Sequence, residues 1–224
     1  MKNDILEIDG IQKKFNERVI LSDVYLKCET AQIVGLLGRN GSGKSTLLKI
    51  IFGTVSAPNK CIRINGVSKN NENNLLKEIS YLSQEQFIPN HLSVKKAIEL
   101  SVDKQKIKFF YEDEFIQSIL NKRINHLSGG ELRYLEIKIV LFNPSKFVLL
   151  DEPYNGLSPI MADVVNELIK VNSDKKGIII TDHNYQNVIR ISTQLILIKE
   201  GRTHHIKDKA ELVDKGYLTS SAFL

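Results

Sequence analysis

The chain has 224 residues, 42% hydrophobic and 25% charged, the balance of a soluble globular domain rather than a disordered or fibrous chain. No run approaches the ~18 consecutive apolar residues that cross a bilayer, and the opening MKNDILEIDG lacks the basic, then apolar, pattern of a signal peptide, so a cytoplasmic chain is expected. A net charge of +5 suits an anionic partner, but the lysines are scattered and single out no nucleic-acid surface; Cys28 and Cys61 fall outside metal-ligand spacing and read as core-filling thiols.

In chain order, Ile5–Ile8 and Val19–Lys27 have strand character with no helix pattern between them, which predicts an antiparallel sheet packed at one edge of the fold. A continuous apolar strand follows at Ile33–Leu37, then a helix at Lys44–Phe52. KNNENN at Lys69–Asn74 reads as a polar surface loop, and Ile79–Leu82 as a buried strand. Ser93–Gln117 is helical and charge-rich, an insertion between strand signals. Strands at Phe147–Leu150, Gly177–Thr181 and Leu195–Ile198 alternate with helices at Ile160–Val171 and Asn184–Ile191. Strand-then-helix alternation predicts an α/β core with a mostly parallel sheet covered by helices.

Directly after Ile33–Leu37 stands GRNGSGKST, which matches G-x-x-x-x-G-K-[ST] in full and has the required strand before it and helix after it. Gly38, Gly41 and Gly43, with Asn40 and Ser42 between them, let backbone N–H groups converge on phosphate oxygens. Lys44 adds a cation at the β- and γ-phosphates, Ser45 a hydroxyl for Mg²⁺, and Thr46 continues the loop into a helix whose N-terminal dipole favours anions. The pattern is that of a P-loop NTPase, with ATP and Mg²⁺ as the expected ligands.

A P-loop site needs an acidic residue at the end of a neighbouring strand, and Asp151 after FVLL supplies one for the metal. Glu152 comes next, where a carboxylate can act as base toward the attacking water. An Asp-Glu-Pro turn on its own could equally end a strand and cap a helix. Between these two motifs lies LSGGE, Leu127–Glu131. Ser128 with Glu131 forms a capping box before a helix that runs through Phe142 with Leu132, Leu135, Ile139 and Phe142 at helical spacing. Ser128, Gly129 and Gly130 at a helix start also suit an anion.

Taken together, Phe15, the phosphate loop, Gln84, LSGGE, DEP at Asp151–Pro153 and His183 in TDHN stand in the order of the ABC ATPase family, which the chain resembles from Phe15 to His183. The resemblance implies one ABC ATPase domain over residues 1–224: a RecA-like core, an N-terminal antiparallel β subdomain and a helical subdomain inserted at about 85–143. It also implies roles. Phe15 would stack on adenine, Gln84 would touch Mg²⁺ with Ser45 and Asp151, and His183 would contact the γ-phosphate beside Glu152 and Lys44. Ser128, Gly129, Gly130 and Glu131 would reach the nucleotide of a second subunit, so a homodimer is implied.

The function implied is that of the ATPase subunit of an ABC transporter, held at the inner face of the cell membrane by a separate integral membrane subunit, with no nucleic-acid partner. LSGGE, TDHN and the terminal YLTSSAFL are loosely similar to the ATPases of lipopolysaccharide export and branched-chain amino-acid uptake. A soluble ABC ATPase, for example of the iron–sulfur cluster assembly type, is the alternative, and a P-loop kinase is a third reading that leaves LSGGE without a role. One departure stands out: Ser158 occupies a position where the family usually has aspartate.

Overall fold

A computed structural model describes residues 3–69, 75 and 77–219; most of the KNNENN loop and the final SSAFL lie outside the described residues. Two sheets organise the fold. The larger contains β4 (Ile33–Leu37), β7 (Ile79–Leu82), β8 (Phe147–Asp151), β9 (Gly177–Thr181), β10 (Gln194–Lys199) and β11 (Arg202–Ile206), in the order β11-β10-β4-β9-β8-β7. All its pairs are parallel except β10–β11, a hairpin. β4, β8, β9 and β10 are built on continuous apolar runs because both faces are covered, and the two-residue side-chain period divides them between two cores.

Ile33, Leu37, Val148, Leu150, Ile178, Ile180, Leu195 and Leu197 point into a core shared with the helices. Those helices are α2 (Val94–Ser101), α3 (Ile107–Tyr111), α4 (Glu114–Ile119), α5 (Gly129–Phe142), α6 (Pro159–Ser173), α7 (Tyr185–Ile191) and α8 (Ala210–Asp214), all following α1 (Lys44–Phe52) in the chain. Val34, Leu36, Phe147, Leu149, Ile179, Ile196 and Ile198 point the other way, into a core with α1 and the second sheet.

That second sheet is antiparallel: β1 (Ile5–Phe15) pairs with β2 (Arg18–Leu21), β3 (Leu26–Glu29) and β5 (Asn59–Ile64), and β5 pairs with β6 (Val67–Ser68). The expected sheet is therefore present, but it covers a face of the parallel sheet together with α1 instead of packing at an edge. The segment expected as one strand over Val19–Lys27 is two, because Ser22 N–H donates to Gly201 O at 2.9 Å and Asp23 bridges Arg202, turning the chain aside. The helical insertion is also broken, into α2, α3 and α4.

The α5 helix differs from the single apolar stripe expected of it. Every residue from Arg133 to Leu141 is buried, including Arg133, Glu136 and Lys138. An enclosed helix can hold charges only where each finds a partner. Lys138 is paired with Asp113, which also accepts from Tyr134 at 2.6 Å.

Candidate nucleotide site

The C-terminal ends of four adjacent parallel strands bring the chemistry together, the position at which open α/β sheets bind ligands. After β4 comes the phosphate loop, after β7 Gln84, at the end of β8 Asp151 and Glu152, and after β9 His183. They surround a cleft of about 550 Å³ lined by Phe15, Asn40, Gly41, Ser42, Gly43, Lys44, Ser45, Thr46, Gln84, Glu152 and His183, with Arg18 and Ile20 from the antiparallel sheet.

The loop reaches this shape through glycine. Gly43 takes φ of 99°, and a Cβ there would sit 2.8 Å from the Ile20 side chain, so the sequence needs glycine on both counts. Lys44 begins α1 and its Nζ donates back to Gly38 O at 2.7 Å and Arg39 O at 3.3 Å. Burial lowers the Lys44 pKa, while Glu152, Asp151 and Asp182 pull the other way.

Asp151 is fully buried at the floor. Its Oδ1 accepts from Ser45 Oγ at 3.0 Å and its Oδ2 from Tyr81 OH at 3.0 Å; Gln84 Nε2 donates to Ser45 Oγ at 3.1 Å. Burial raises the Asp151 carboxyl above its ordinary range, against the stabilising hydrogen bonds from Ser45 and Tyr81. Ser45, Gln84 and Asp151, the three residues expected at a metal, thus form one chain of hydrogen bonds.

Glu152 is the next residue and adopts φ of 51°, a left-handed conformation uncommon outside glycine, asparagine and aspartate. Its N–H donates to Thr181 O at 2.8 Å on the neighbouring strand. Its carboxylate stands 4.0 Å from His183 Nδ1, and Asp182 Oδ1 lies 3.2 Å from the same nitrogen. Asp182, itself buried, also accepts the N–H groups of Tyr154 at 3.0 Å and Asn184 at 2.8 Å, so one carboxylate fixes the turns after β8 and β9. Phe15 lies at the mouth, 50% exposed, with the Lys13 ammonium 5.0 Å from its ring centroid.

Three residues of this site escaped sequence reasoning. Arg133 donates to Ser83 O at 2.7 Å, Asp151 O at 2.8 Å and Glu152 O at 2.9 Å, and pairs with Glu136 at 3.5 Å. A charged i, i+3 pair on an otherwise apolar helix was its signal. Tyr81 and Asp182 carried no comparable mark, since the partners that matter, Asp151 for Tyr81 and Tyr154 for Asp182, come from distant parts of the chain.

Ser128, Gly129, Gly130 and Glu131 do not line this cleft. Ser128 and Gly129 are exposed at the start of α5. The capping box expected there forms: Glu131 N–H donates to Ser128 Oγ at 3.2 Å and Ser128 N–H to Glu131 Oε2 at 2.7 Å. Lys122 adds an ion pair to Glu131 at 2.8 Å and, with the Ser128 N–H, lowers its pKa. Ser158, the departure from the family pattern, caps α6, its Oγ accepting from Met161 N–H at 3.3 Å before Pro159 at the first helical position.

Residues 21–155 match the family described as ABC transporter. The lipopolysaccharide export system ATP-binding protein LptB of Haemophilus influenzae is 31% identical over 212 residues, covering 88% of each chain. The protein of that name from Escherichia coli K12 is 31% identical over 216 residues, 88% of this chain and 87% of its own. The sulfate/thiosulfate import ATP-binding protein CysA of Synechococcus elongatus is 26% identical over 93% of this chain and 64% of its own. Among solved structures, an ATP-binding subunit of an ABC transporter superposes with a TM-score of 0.83 at 19% identity, covering 96% of this chain and 95% of that one, and shares the fold. With the family match spanning both the phosphate loop and the Asp151–Glu152 strand end, the chain belongs to the ABC transporter family, as its ATP-binding and ATP-hydrolysing subunit.

Proposed function

We propose that ATP binds with its phosphates over Gly38–Thr46 and its adenine against Phe15, and that turnover drives a separate membrane subunit through closure of two copies of the chain. The observation that carries this reading is the convergence of Lys44, Ser45, Gln84, Glu152 and His183 on one cleft with Asp151 at its floor.

Ser45, Gln84 and Asp151 offer a hydroxyl, an amide and a carboxylate, hard oxygen donors that suit Mg²⁺. When bound, Mg²⁺ supplies neutralisation of phosphate charge. Lys44 adds its own cation to the phosphates, Glu152 takes the proton of the attacking water, and His183, oriented by Asp182, contacts the γ-phosphate.

Each chain carries one phosphate loop and one LSGGE, whose Ser128 and Gly129 are exposed and which does not line the chain's own cleft. We read Ser128–Glu131 as ligands offered to the ATP of a second copy, which lets ATP hold a homodimer together until hydrolysis releases it. Among the described residues no helix is long and apolar enough to cross a membrane; in this reading the translocation path is supplied by a separate membrane subunit and the chain works at its cytoplasmic face. Relatives carry names from both lipopolysaccharide export and sulfate/thiosulfate import, and in this reading the membrane partner, not this chain, selects the cargo.

The test is Glu152→Gln, which keeps shape and removes the base. The variant pairs in the presence of ATP, read by light scattering, and does not turn over. Hydrolysis at the native rate would remove Glu152 from its role.

A further inference from the structure

We infer that the C-terminal turn after α8 positions the phosphate loop from a second cleft, with Arg39 and Tyr217 as the positioning residues; this rests on the reading of Gly38–Thr46 as the ATP site. The turn is well anchored. Leu212 is fully buried and Leu218 is 9% exposed, both in the core beneath the helices. Between them α8 ends in a Schellman motif: Gly216 takes φ of 68°, its N–H donates to Val213 O at 2.8 Å, and Tyr217 N–H donates to Leu212 O at 2.8 Å. Lys199 Nζ donates to Lys215 O at 3.0 Å and ties the same turn to the end of β10.

This geometry presents the Gly216 carbonyl outward, where Arg39 NH2 of the phosphate loop donates to it at 3.0 Å. Tyr217 packs edge-on against Tyr185, centroids 6.1 Å apart, and shares with Arg39 and Ser42 a cleft of about 410 Å³. Burial raises the Tyr217 phenol. Through the Gly216 carbonyl and this shared cleft, the C-terminal turn addresses Arg39 and Ser42. Gly38 and Arg39 are also the residues whose carbonyls accept from Lys44.

A loop with three glycines loses much conformational freedom when it closes around phosphate. A fixed turn that holds one side of it lowers that cost before ATP arrives. Neither Arg39 nor Tyr217 lines the nucleotide cleft, so the effect falls on affinity more than on chemistry.

The experiment is a double-mutant cycle on the full chain, measuring Mg·ATP binding by calorimetry and the kcat and KM of hydrolysis. Arg39→Ala and Tyr217→Ala each raise Kd about fivefold, the effect of losing one hydrogen-bonded tie. KM rises by more than kcat falls, Arg39→Lys restores part of the affinity, and the double variant is little worse than either single one. If Tyr217→Ala fails to fold, Tyr217→Phe takes its place, keeping the ring on Tyr185 and losing the hydroxyl. Native affinity in the Tyr217 variant would show that Arg39 acts by charge alone and overturn the inference, as would strictly additive losses. Failure of the native chain itself to bind ATP would remove the proposed function as well, whereas native binding with unaffected variants removes only the role of the turn.

Discussion

Replacing Arg133 with methionine tests whether the carboxylate strand end is held from behind. The guanidinium is 6% exposed, donates to the carbonyls of Ser83, Asp151 and Glu152, and is paired with Glu136, which is 2% exposed. Removing one member of a buried ion pair costs about 3–5 kcal/mol. Each carbonyl left without a donor adds about 1–3 kcal/mol, but these losses overlap with the first, and about 4 kcal/mol is the reasonable sum. For a chain of this size that lowers the melting temperature by roughly 8–16 °C. Glu136, whose carboxyl burial already raises, is left facing Phe87 N–H at 3.0 Å without its cation. Adding Glu136→Gln therefore recovers about 1–2 kcal/mol, because the stranded charge is gone. Turnover in the single variant falls about tenfold or more, since Asp151 and Glu152 lose the donor that fixes their peptide groups. Thermal melts followed by circular dichroism and a phosphate-release assay read both effects. A single variant that melts within about 3 °C of the native chain and keeps its turnover refutes the bracing role.

Three further outcomes follow from the site and its surroundings. Ser128→Ala removes the capping-box acceptor and costs about 1 kcal/mol of stability; because Ser128 lies outside its own cleft, ATP binding by the isolated chain is unchanged while ATP-dependent pairing, read by light scattering, is lost. Phe15→Ala weakens ATP binding by about 1 kcal/mol, as expected for one lost base–aromatic stack, and unchanged affinity in a binding titration would remove the stacking role. Asp113 gives a pH dependence: burial opposes its ionisation, but hydrogen bonds from Lys138, Tyr134 and the Ile116 N–H outweigh it and hold the carboxyl below the ordinary range. Its folded pKa is depressed, so its stabilisation is present above the unfolded value and disappears as pH falls through the folded one, below about pH 4. Melting temperatures of Asp113→Asn, measured from pH 6 to pH 3, fall less steeply than those of the native chain.

The parallel sheet was legible because β4, β8 and β9 are short, mostly apolar runs with coverage on both faces, and such runs have sharp ends. β5, β6 and β11 are mixed in polarity and half exposed, and only their turns announce them: Asn65-Gly66 and Glu200-Gly201 each place two successive residues at positive φ. The break between β2 and β3 depends on Gly201, far along the chain, and no local pattern near Ser22 records it. At the site, the phosphate loop, Asp151, Glu152 and His183 could be named because each follows a recognisable strand. Tyr81 and Asp182 could not, because the partners they hold are brought near only by folding, and Arg133 left no more than its i, i+3 pair with Glu136 as a sign. Phe15 was legible by order in the chain, and its position at the cleft mouth follows from the antiparallel sheet lying over the face of the other.

The backbone of Glu152 sets protein stability against catalysis at a single position. A left-handed conformation costs a side chain with a Cβ about 1–2 kcal/mol that glycine does not lose. The chain keeps glutamate there, so the carboxylate beside His183 is retained at the expense of a more comfortable fold. Selection for heat resistance alone pushes this position toward glycine, and that step discards the carboxylate proposed as the base.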